Sequence, residues 1–275
     1  MYLEFLGLRE KPFSITADPS FLYLSRQHRE ALSHMLFGIR ERKGFIEITG
    51  DIGTGKTTLC KALLRQLDPN TKTALVLHST LSELQLLHTI VQDFGLDPMR
   101  SNRHTLFNQL GQFLLDQASL GNNLVLIIDE AQNLSLRLLE HIRMLSNLET
   151  DKDKLIQIIL VGQPQLRDKL QLPAMRQLQQ RIGVRYHITP LEPDEVRTYI
   201  EHRLRVAGSD GSLIWTEDGL DEVMRCSKGI PRLINLICDR ALLACYVFRV
   251  KLVDREIVRR SYQELSGQVL ETSAT

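Results

Sequence analysis

The residues with the clearest chemical role lie in one short glycine-rich stretch, residues 50 to 57, which reads GDIGTGKT. It satisfies the pattern G-x-x-x-x-G-K-[ST], in which backbone N–H groups and the following helix N-terminus cradle phosphate groups. Lys56 is expected to reach the β- and γ-phosphates, and the Thr57 hydroxyl to ligate Mg²⁺. A chance glycine turn is the alternative, but a predicted strand before the motif and a helix after it argue against chance. The predicted nucleotide-binding residues are Gly50, Asp51, Ile52, Gly53, Thr54, Gly55, Lys56, Thr57 and Thr58.

A second candidate is the acidic pair Asp129–Glu130, which follows the apolar run NLVLII. Ligands bind at the carboxyl ends of strands in open α/β sheets, which is where this pair is expected. Asp129 is predicted to hold Mg²⁺, directly or through water. Glu130 is predicted to orient and deprotonate the attacking water. The competing interpretation is a helix N-cap with an acidic first turn.

The elements that must position these residues alternate along the first part of the chain. Short apolar runs predict strands, because strands covered on both faces of a parallel sheet read as continuous hydrophobic segments. Strands alternating with helices indicate an α/β fold with a parallel sheet. The predicted strands are 44–50, 73–78, 123–129, 155–162 and 184–188, and the predicted helices are 26–43, 58–67, 82–94, 105–118 and 136–148.

The pattern changes at Pro190 and Pro193, and everything after them is predicted to be helical. We therefore predict four segments. Residues 1–43 form an N-terminal arm and a helix that leads into the core, and residues 44–190 form the α/β core. Residues 191–266 form a small helical domain, and residues 267–275 a tail. The predicted C-terminal helices are 194–206, 217–226, 232–248 and 255–265.

Composition limits the binding partners and the cellular compartment that we expect for this protein. The formal net charge is +1, so no global field draws in nucleic acid or an anionic membrane. The cysteines, Cys60, Cys226, Cys238 and Cys245, have no zinc-site spacing and are expected to be reduced packing residues. A membrane span needs about 20 mostly uncharged residues, and the sequence contains no such run. A cytoplasmic protein is expected, associated with the inner membrane, if at all, through a partner.

At this point the series of motifs resembles the AAA+ superfamily. Its order is the phosphate loop, LVLIIDEAQ, IILVGQPQL, LQQRI and GIPRLINLI. The resemblance implies a P-loop NTPase core with a C-terminal helical lid. It also implies sensor roles for Gln163 and Arg232, although glutamine departs from the commoner Asn or Thr. An arginine finger is implied at Arg181, with Arg176 as the alternative. Each of these residues has a plainer interpretation as a turn or surface residue.

The opening of the chain resembles the general secretion pathway protein A group more closely. The resemblance rests on GL-x-x-x-PF, DP-x-F-L-Y-L-S, H-x-E-A-L and GF-x-x-x-TG, which lie within residues 7 to 50. It implies an ATPase-only member or a cytoplasmic piece of a longer protein. It also suggests that Phe21, Tyr23 and Leu24 lie against adenine. An equally weighted alternative is that these residues only pin the arm to the core.

Three functions follow as hypotheses. The first is a Mg-dependent ATPase that self-associates into a ring or filament and remodels a protein of a bacterial secretion or pilus system. The second is a DNA-linked ATPase, such as a transposition regulator, which the near-neutral charge mildly disfavours. The third is a nucleotide-dependent scaffold with negligible turnover, against which an intact Glu130 argues.

Overall fold

The computed structural model describes residues 2–16, 18–77, 81–98, 102–149 and 154–266. The described residues form two compact units. The helical unit takes its residues from Met1–Gln27, Gly53–Thr58 and Thr189–Thr275, and the sheet unit from His28–Ile52 and Leu59–Ile188. Each unit has its own hydrophobic core. The predicted tail, residues 267–275, lies outside the described residues.

Five parallel strands build the sheet unit, in the order β2-β3-β4-β1-β5. Their bounds are β1 Phe45–Gly50, β2 Thr71–Val76, β3 Asn123–Ile128, β4 Gln157–Gly162 and β5 Ile182–Ile188. The helices in the same part of the chain are α2 Arg26–Arg40, α3 Lys56–Gln66, α4 Glu83–Asp93, α5 Arg103–Ser119, α6 Leu136–Leu145, α7 Pro164–Leu170 and α8 Arg176–Gln179.

The three central strands are almost wholly buried, because helices cover both faces of the sheet. Every residue of β1 and β4 is buried, and so is every residue of β3 after Asn123. This is the burial that their continuous apolar runs predict. The predicted α/β fold with a parallel sheet is confirmed.

The helical unit contains a short N-terminal helix and four longer helices. Their bounds are α1 Tyr2–Phe5, α9 Pro193–Val206, α10 Glu217–Ser227, α11 Pro231–Phe248 and α12 Arg255–Ser266. The expectation that everything after Pro193 is helical was wrong in one respect. A small parallel pair, β6 Ile214–Trp215 and β7 Leu252–Val253, joins the segments before α10 and α12.

Several element ends differ from the sequence prediction for local backbone reasons. The helix predicted over 26–43 ends at Arg40, and the turn after it carries Arg42 and Gly44 at φ 48° and 77°. Those positive φ values lie outside the right-handed helical region. The strand predicted over 73–78 runs from Thr71 to Val76, and His78 lies outside the described residues.

Candidate functional site

The phosphate-loop motif joins β1 directly to α3. Gly50 is the last residue of β1, and α3 begins at Lys56. Gly53 and Gly55 adopt φ values of 83° and 95°, a region that glycine enters without a Cβ penalty. The side chains of Thr54 and Lys56 are buried. The sequence therefore folds locally into the strand–glycine turn–helix arrangement that binds phosphate groups in proteins with this motif.

The loop contacts the start of α11 within the helical unit. The backbone N–H of Arg232 donates to the carbonyl oxygen of Gly53 at 3.2 Å. A Cβ built on Gly53 would lie 2.7 Å from the Cβ of Arg232 and 3.2 Å from Cγ2 of Ile230. The structure thus brings the predicted sensor residue Arg232 against the loop. Its side chain is exposed in the second position of α11.

The lead-in to α11 is held by a second tight glycine contact. Gly229 has a φ of 74°, and a Cβ there would lie 2.1 Å from the carbonyl oxygen of Leu191. The Leu191 N–H donates to the Gly229 carbonyl oxygen at 2.9 Å. Pro231 opens the helix, where its missing N–H would have no helical partner in any case.

The acidic pair stands at the carboxyl end of β3, in the sheet unit. Asp129 is 2% exposed, and its backbone N–H donates to the Val76 carbonyl oxygen at 2.9 Å. The Asp129 carboxylate accepts the Glu130 N–H at 2.8 Å. Glu130 is in the left-handed region at φ 52°, ψ 34°. Such a conformation costs a non-glycine residue about 1–2 kcal/mol and is concentrated at functional sites.

The structure brings Glu130 together with Gln163, the predicted first sensor. Gln163 follows β4, the neighbour of β3, and its Nε2 donates to Oε2 of Glu130 at 3.3 Å. The same oxygen accepts a 2.5 Å hydrogen bond from Nε2 of Gln132. Gln132 also accepts the backbone N–H of Gln163 on its Oε1, at 3.0 Å.

Sequence reasoning missed Gln132 and a second residue, Lys169 of α7. The Lys169 ammonium donates to the carbonyl oxygens of Gln132 and Leu134 at 2.5 and 2.8 Å. It thereby ties the loop after β3 to α7. The glutamine two positions after Glu130 was a visible polar signal in LVLIIDEAQ. Nothing in the sequence marked Lys169.

Polar pairs fasten the edge strand β5 to β1 just before the loop. Arg185 Nε donates to Oε2 of the buried Glu47 at 3.2 Å, and Thr49 Oγ1 lies 3.0 Å from Nδ1 of His187. Burial raises the pKa of the Glu47 carboxyl, while the Arg185 charge and hydrogen bond oppose that rise. These pairs hold the register in which Gly50 ends β1 opposite Ile188.

The structure does not bring the predicted arginine fingers to the acidic pair. Arg181 immediately precedes β5 at the amino edge of the sheet, whereas Glu130 follows β3 at the carboxyl edge. The Arg181 guanidinium donates to Ser146 Oγ at 2.9 Å and to Asn147 Oδ1 at 2.5 Å. Arg176, the alternative, begins α8 with an exposed side chain.

The aromatic arm residues pack within the helical unit. Phe21 is buried, and the Arg203 guanidinium stacks over its ring at 4.8 Å. The Tyr23 hydroxyl is hydrogen-bonded to Thr198 Oγ1 at 2.7 Å, and its ring lies edge-on to Tyr199 at 5.7 Å. These contacts account for the arm as a packing segment. The prediction that it contacts adenine stays a prediction.

The residues predicted to hold a metal fit Mg²⁺ by the chemistry of their donors. Thr57 offers a hydroxyl and Asp129 a carboxylate, and Mg²⁺ prefers such oxygen ligands together with water and substrate phosphates. Within the described ranges no group of three or more His, Cys, Asp or Glu side chains could cage a metal ion. A dedicated all-protein cage is unusual for Mg²⁺.

A protein-family model and a curated protein both match this chain. Residues 39–170 match the AAA domain family. The chain is 44% identical over 269 residues to general secretion pathway protein A of Aeromonas hydrophila, covering 97% of this chain and 49% of that protein. It thus spans about half the length of the curated relative that it matches. In the described part of the chain, no helix is long and apolar enough to cross a membrane.

Solved structures show the same fold at low sequence identity. The ORC2 protein of Aeropyrum pernix superposes with a TM-score of 0.70 at 19% identity, covering 93% of this chain and 71% of that one. Cdc6p of Pyrobaculum aerophilum gives 0.68 at 20% identity, covering 92% and 70%. The RuvB branch migration motor of Thermotoga maritima gives 0.59 at 15%, covering 90% and 73%.

Proposed function

We propose that this protein is a Mg-dependent ATP hydrolase, because residues 39–170 match the AAA domain family and the chain is 44% identical over 269 residues to general secretion pathway protein A. The observation that carries the proposal is the complete phosphate loop between β1 and α3, with a buried Lys56 opening the helix. Support also comes from the acidic pair at the carboxyl end of β3, where Glu130 contacts Gln163, the residue that follows the neighbouring strand β4.

Each predicted residue has a role in this proposal. The loop backbone and Lys56 bind the β- and γ-phosphates, and Arg232 adds positive charge from the start of α11. Thr57 and Asp129 hold Mg²⁺, which supplies positive charge against the phosphate oxygens when it is bound.

Glu130 acts on the attacking water in this mechanism. The water proton moves to the Glu130 carboxylate as the water oxygen forms its bond to the γ-phosphorus. The bond from phosphorus to the β–γ bridging oxygen breaks, so that ADP and inorganic phosphate are released. Gln163 contacts the carboxylate that accepts the proton, which is a suitable place for a residue that senses the γ-phosphate.

The cellular role is proposed from the relative of this chain. A protein 44% identical over nearly the whole chain is named for the general secretion pathway. We infer that this protein is an ATP-driven assembly or remodelling factor of a bacterial secretion or pilus-type system. It would self-associate into a ring or filament and work at the cytoplasmic face of the inner membrane, held there by a protein partner.

Three variants, each compared with the wild-type protein, test the enzymatic proposal by ATP hydrolysis and ATP titration. Glu130→Gln keeps the shape of the side chain and loses its basicity, so it should bind ATP and turn over at least about 100-fold more slowly. Lys56→Ala should lose tight ATP binding in equilibrium titration while keeping its circular dichroism spectrum. Glu256→Gln, an exposed position on α12, is the matched control and should behave as wild type. Ordinary turnover by Glu130→Gln would show that another group activates the water.

A further inference from the structure

Gln132 is placed to control the carboxylate of Glu130. Its side-chain amide lies between the two loops that follow β3 and β4, with one hydrogen bond to each. Gly162 leaves the space for it, since a Cβ there would lie 2.8 Å from Oε1 of Gln132. The Lys169 ammonium binds the Gln132 carbonyl oxygen and restrains the backbone of the same residue.

The network dictates which way the amide points. A backbone N–H can only donate, so the atom of Gln132 that faces the Gln163 N–H must be the acceptor, Oε1. The donor Nε2 is then on the other side of the amide, where it meets Oε2 of Glu130. An ionised carboxylate accepts hydrogen bonds and donates none. The three partners are therefore mutually consistent in one orientation only.

We propose that Gln132 is a positioning residue for ATP hydrolysis, which orients the Glu130 carboxylate and couples it to Gln163, the residue that follows β4. The inference rests on the proposed function of Glu130 as the base. Oε2 of Glu130 accepts hydrogen bonds from both glutamines, and these two bonds fix the plane of the carboxylate. The glutamate backbone is in a strained left-handed conformation, so restraint from its neighbours is needed to hold one geometry.

The first test removes the amide and keeps its bulk. Gln132→Met cannot orient the carboxylate, and a misplaced base typically costs about 10- to 100-fold in turnover. We expect kcat to fall by that factor, with the KM and equilibrium Kd for ATP changed by less than about threefold. The matched control is Gln92→Met, an exposed glutamine on α4, which should match wild type. Circular dichroism and thermal melting monitor folding.

The second test asks whether Gln132 acts through Glu130. In the Glu130→Gln background the base is already lost, so adding Gln132→Met should lower the residual turnover by less than about twofold, because residues that act as a unit are not additive. A merely structural role would lower turnover by the same factor in both backgrounds. Single-turnover hydrolysis with excess protein measures the slow variants.

The outcomes separate this proposal from the proposed function. A wild-type protein without ATP turnover, or an active Glu130→Gln protein, overturns the function itself. An active wild type and an inactive Glu130→Gln protein, together with a fully active Gln132→Met protein, overturn only the positioning role. Should Gln132→Met fail to fold, Gln132→Asn, which keeps the amide on a side chain too short to reach both partners, replaces it in both tests. An equal loss of turnover in the wild-type and Glu130→Gln backgrounds refutes the role.

Discussion

Gly53 is restricted both by its backbone conformation and by a close neighbouring side chain. Its φ of 83° lies in the region that L side chains rarely adopt, and its missing Cβ leaves room for Arg232. We expect Gly53→Ala to weaken ATP binding at least about tenfold, because the added methyl group must displace either the loop or the start of α11 from its phosphate-binding geometry. The measurement is equilibrium titration with a fluorescent ATP analogue.

Gly95 supplies the control for backbone strain alone. Its φ of 84° nearly equals that of Gly53, but no atom lies within 4 Å of a Cβ built there. Gly95→Ala should lower the free energy of unfolding by about 1 kcal/mol and leave ATP affinity unchanged. If Gly95→Ala loses ATP affinity as Gly53→Ala does, the loss reflects general destabilisation of the fold and not the contact with Arg232.

Single residues were predictable where a motif specifies them by spacing. The motif GDIGTGKT identifies the phosphate-binding residues, because they are neighbours in the chain and bind phosphate without a residue distant in the sequence. Gln132 was not predictable in this way. Its role depends on Gln163, which is 31 residues away and meets it only because β3 and β4 are adjacent in the sheet. The amide alone could equally have been a solvated turn residue.

At the scale of elements, Arg203 of α9 fastens the N-terminal arm. Its Nε and Nη2 donate to the carbonyl oxygens of Pro12 and Ser14, and its Nη1 donates to the Tyr199 hydroxyl. The side chain is buried, and its guanidinium covers the ring of Phe21. Arg203→Met would remove the donors to the Pro12 and Ser14 carbonyl oxygens, so the free energy of unfolding should fall by about 2–4 kcal/mol in urea denaturation.

Arg205 on the same helix provides a matched comparison. Its side chain is exposed, so Arg205→Met should change the free energy of unfolding by less than about 0.5 kcal/mol. The arm should also become sensitive to limited proteolysis in Arg203→Met and stay resistant in Arg205→Met. If both variants are equally stable, the buried guanidinium does not fasten the arm.

Elements with long periodic or continuous apolar patterns were predicted, and shorter ones were not. The run Leu124–Ile128 is fully buried, so its continuous apolar sequence was enough to predict a central strand. The strands β6 and β7 have two residues each, which is too few for any period to appear. Only their pairing, Ile214 with Leu252 and Trp215 with Val253, makes them strands.

At the scale of the whole molecule, charge bears on the DNA-linked alternative. The chain has 34 Lys and Arg against 33 Asp and Glu, so its formal net charge is +1. Non-specific DNA binding depends on cations that neutralise phosphates and release counterions. The likeness to the ORC2 and Cdc6p structures is at 20% identity or less and concerns the fold alone. Neither the net charge nor these likenesses therefore supports DNA as a partner of this chain.

The sheet geometry shows why one chain cannot supply both Glu130 and Arg181 to one phosphate. The strands β3 and β5 are separated by two others, and the two residues lie at opposite strand ends. From the strand spacing and rise, their Cα atoms are about 20 Å apart. That distance exceeds the reach of an arginine side chain. An arginine finger at Arg181 must therefore come from a second copy of the chain.

The last prediction tests that requirement. If Arg181 acts in a neighbouring copy, wild-type specific activity should rise with protein concentration as copies associate. Arg181→Ala should bind ATP and hydrolyse it poorly, with kcat reduced by about 10³-fold, the lower range for a lost finger. Because this substitution also removes the hydrogen bonds to Ser146 and Asn147, a thermal melt must accompany it.

Mixing two inactive variants gives the decisive measurement. Where the intact Arg181 of a Glu130→Gln copy faces the intact Glu130 of an Arg181→Ala copy, one complete site forms, so the mixture should regain part of the wild-type activity. Arg176→Ala, mixed with Glu130→Gln in the same way, tests the alternative finger. Recovery only with Arg176→Ala would move the role to the exposed residue and leave Arg181 as an anchor for α6. No recovery in either mixture, with wild-type activity independent of concentration, would exclude a finger from a neighbouring copy, since the sheet leaves Arg181 no path to its own Glu130.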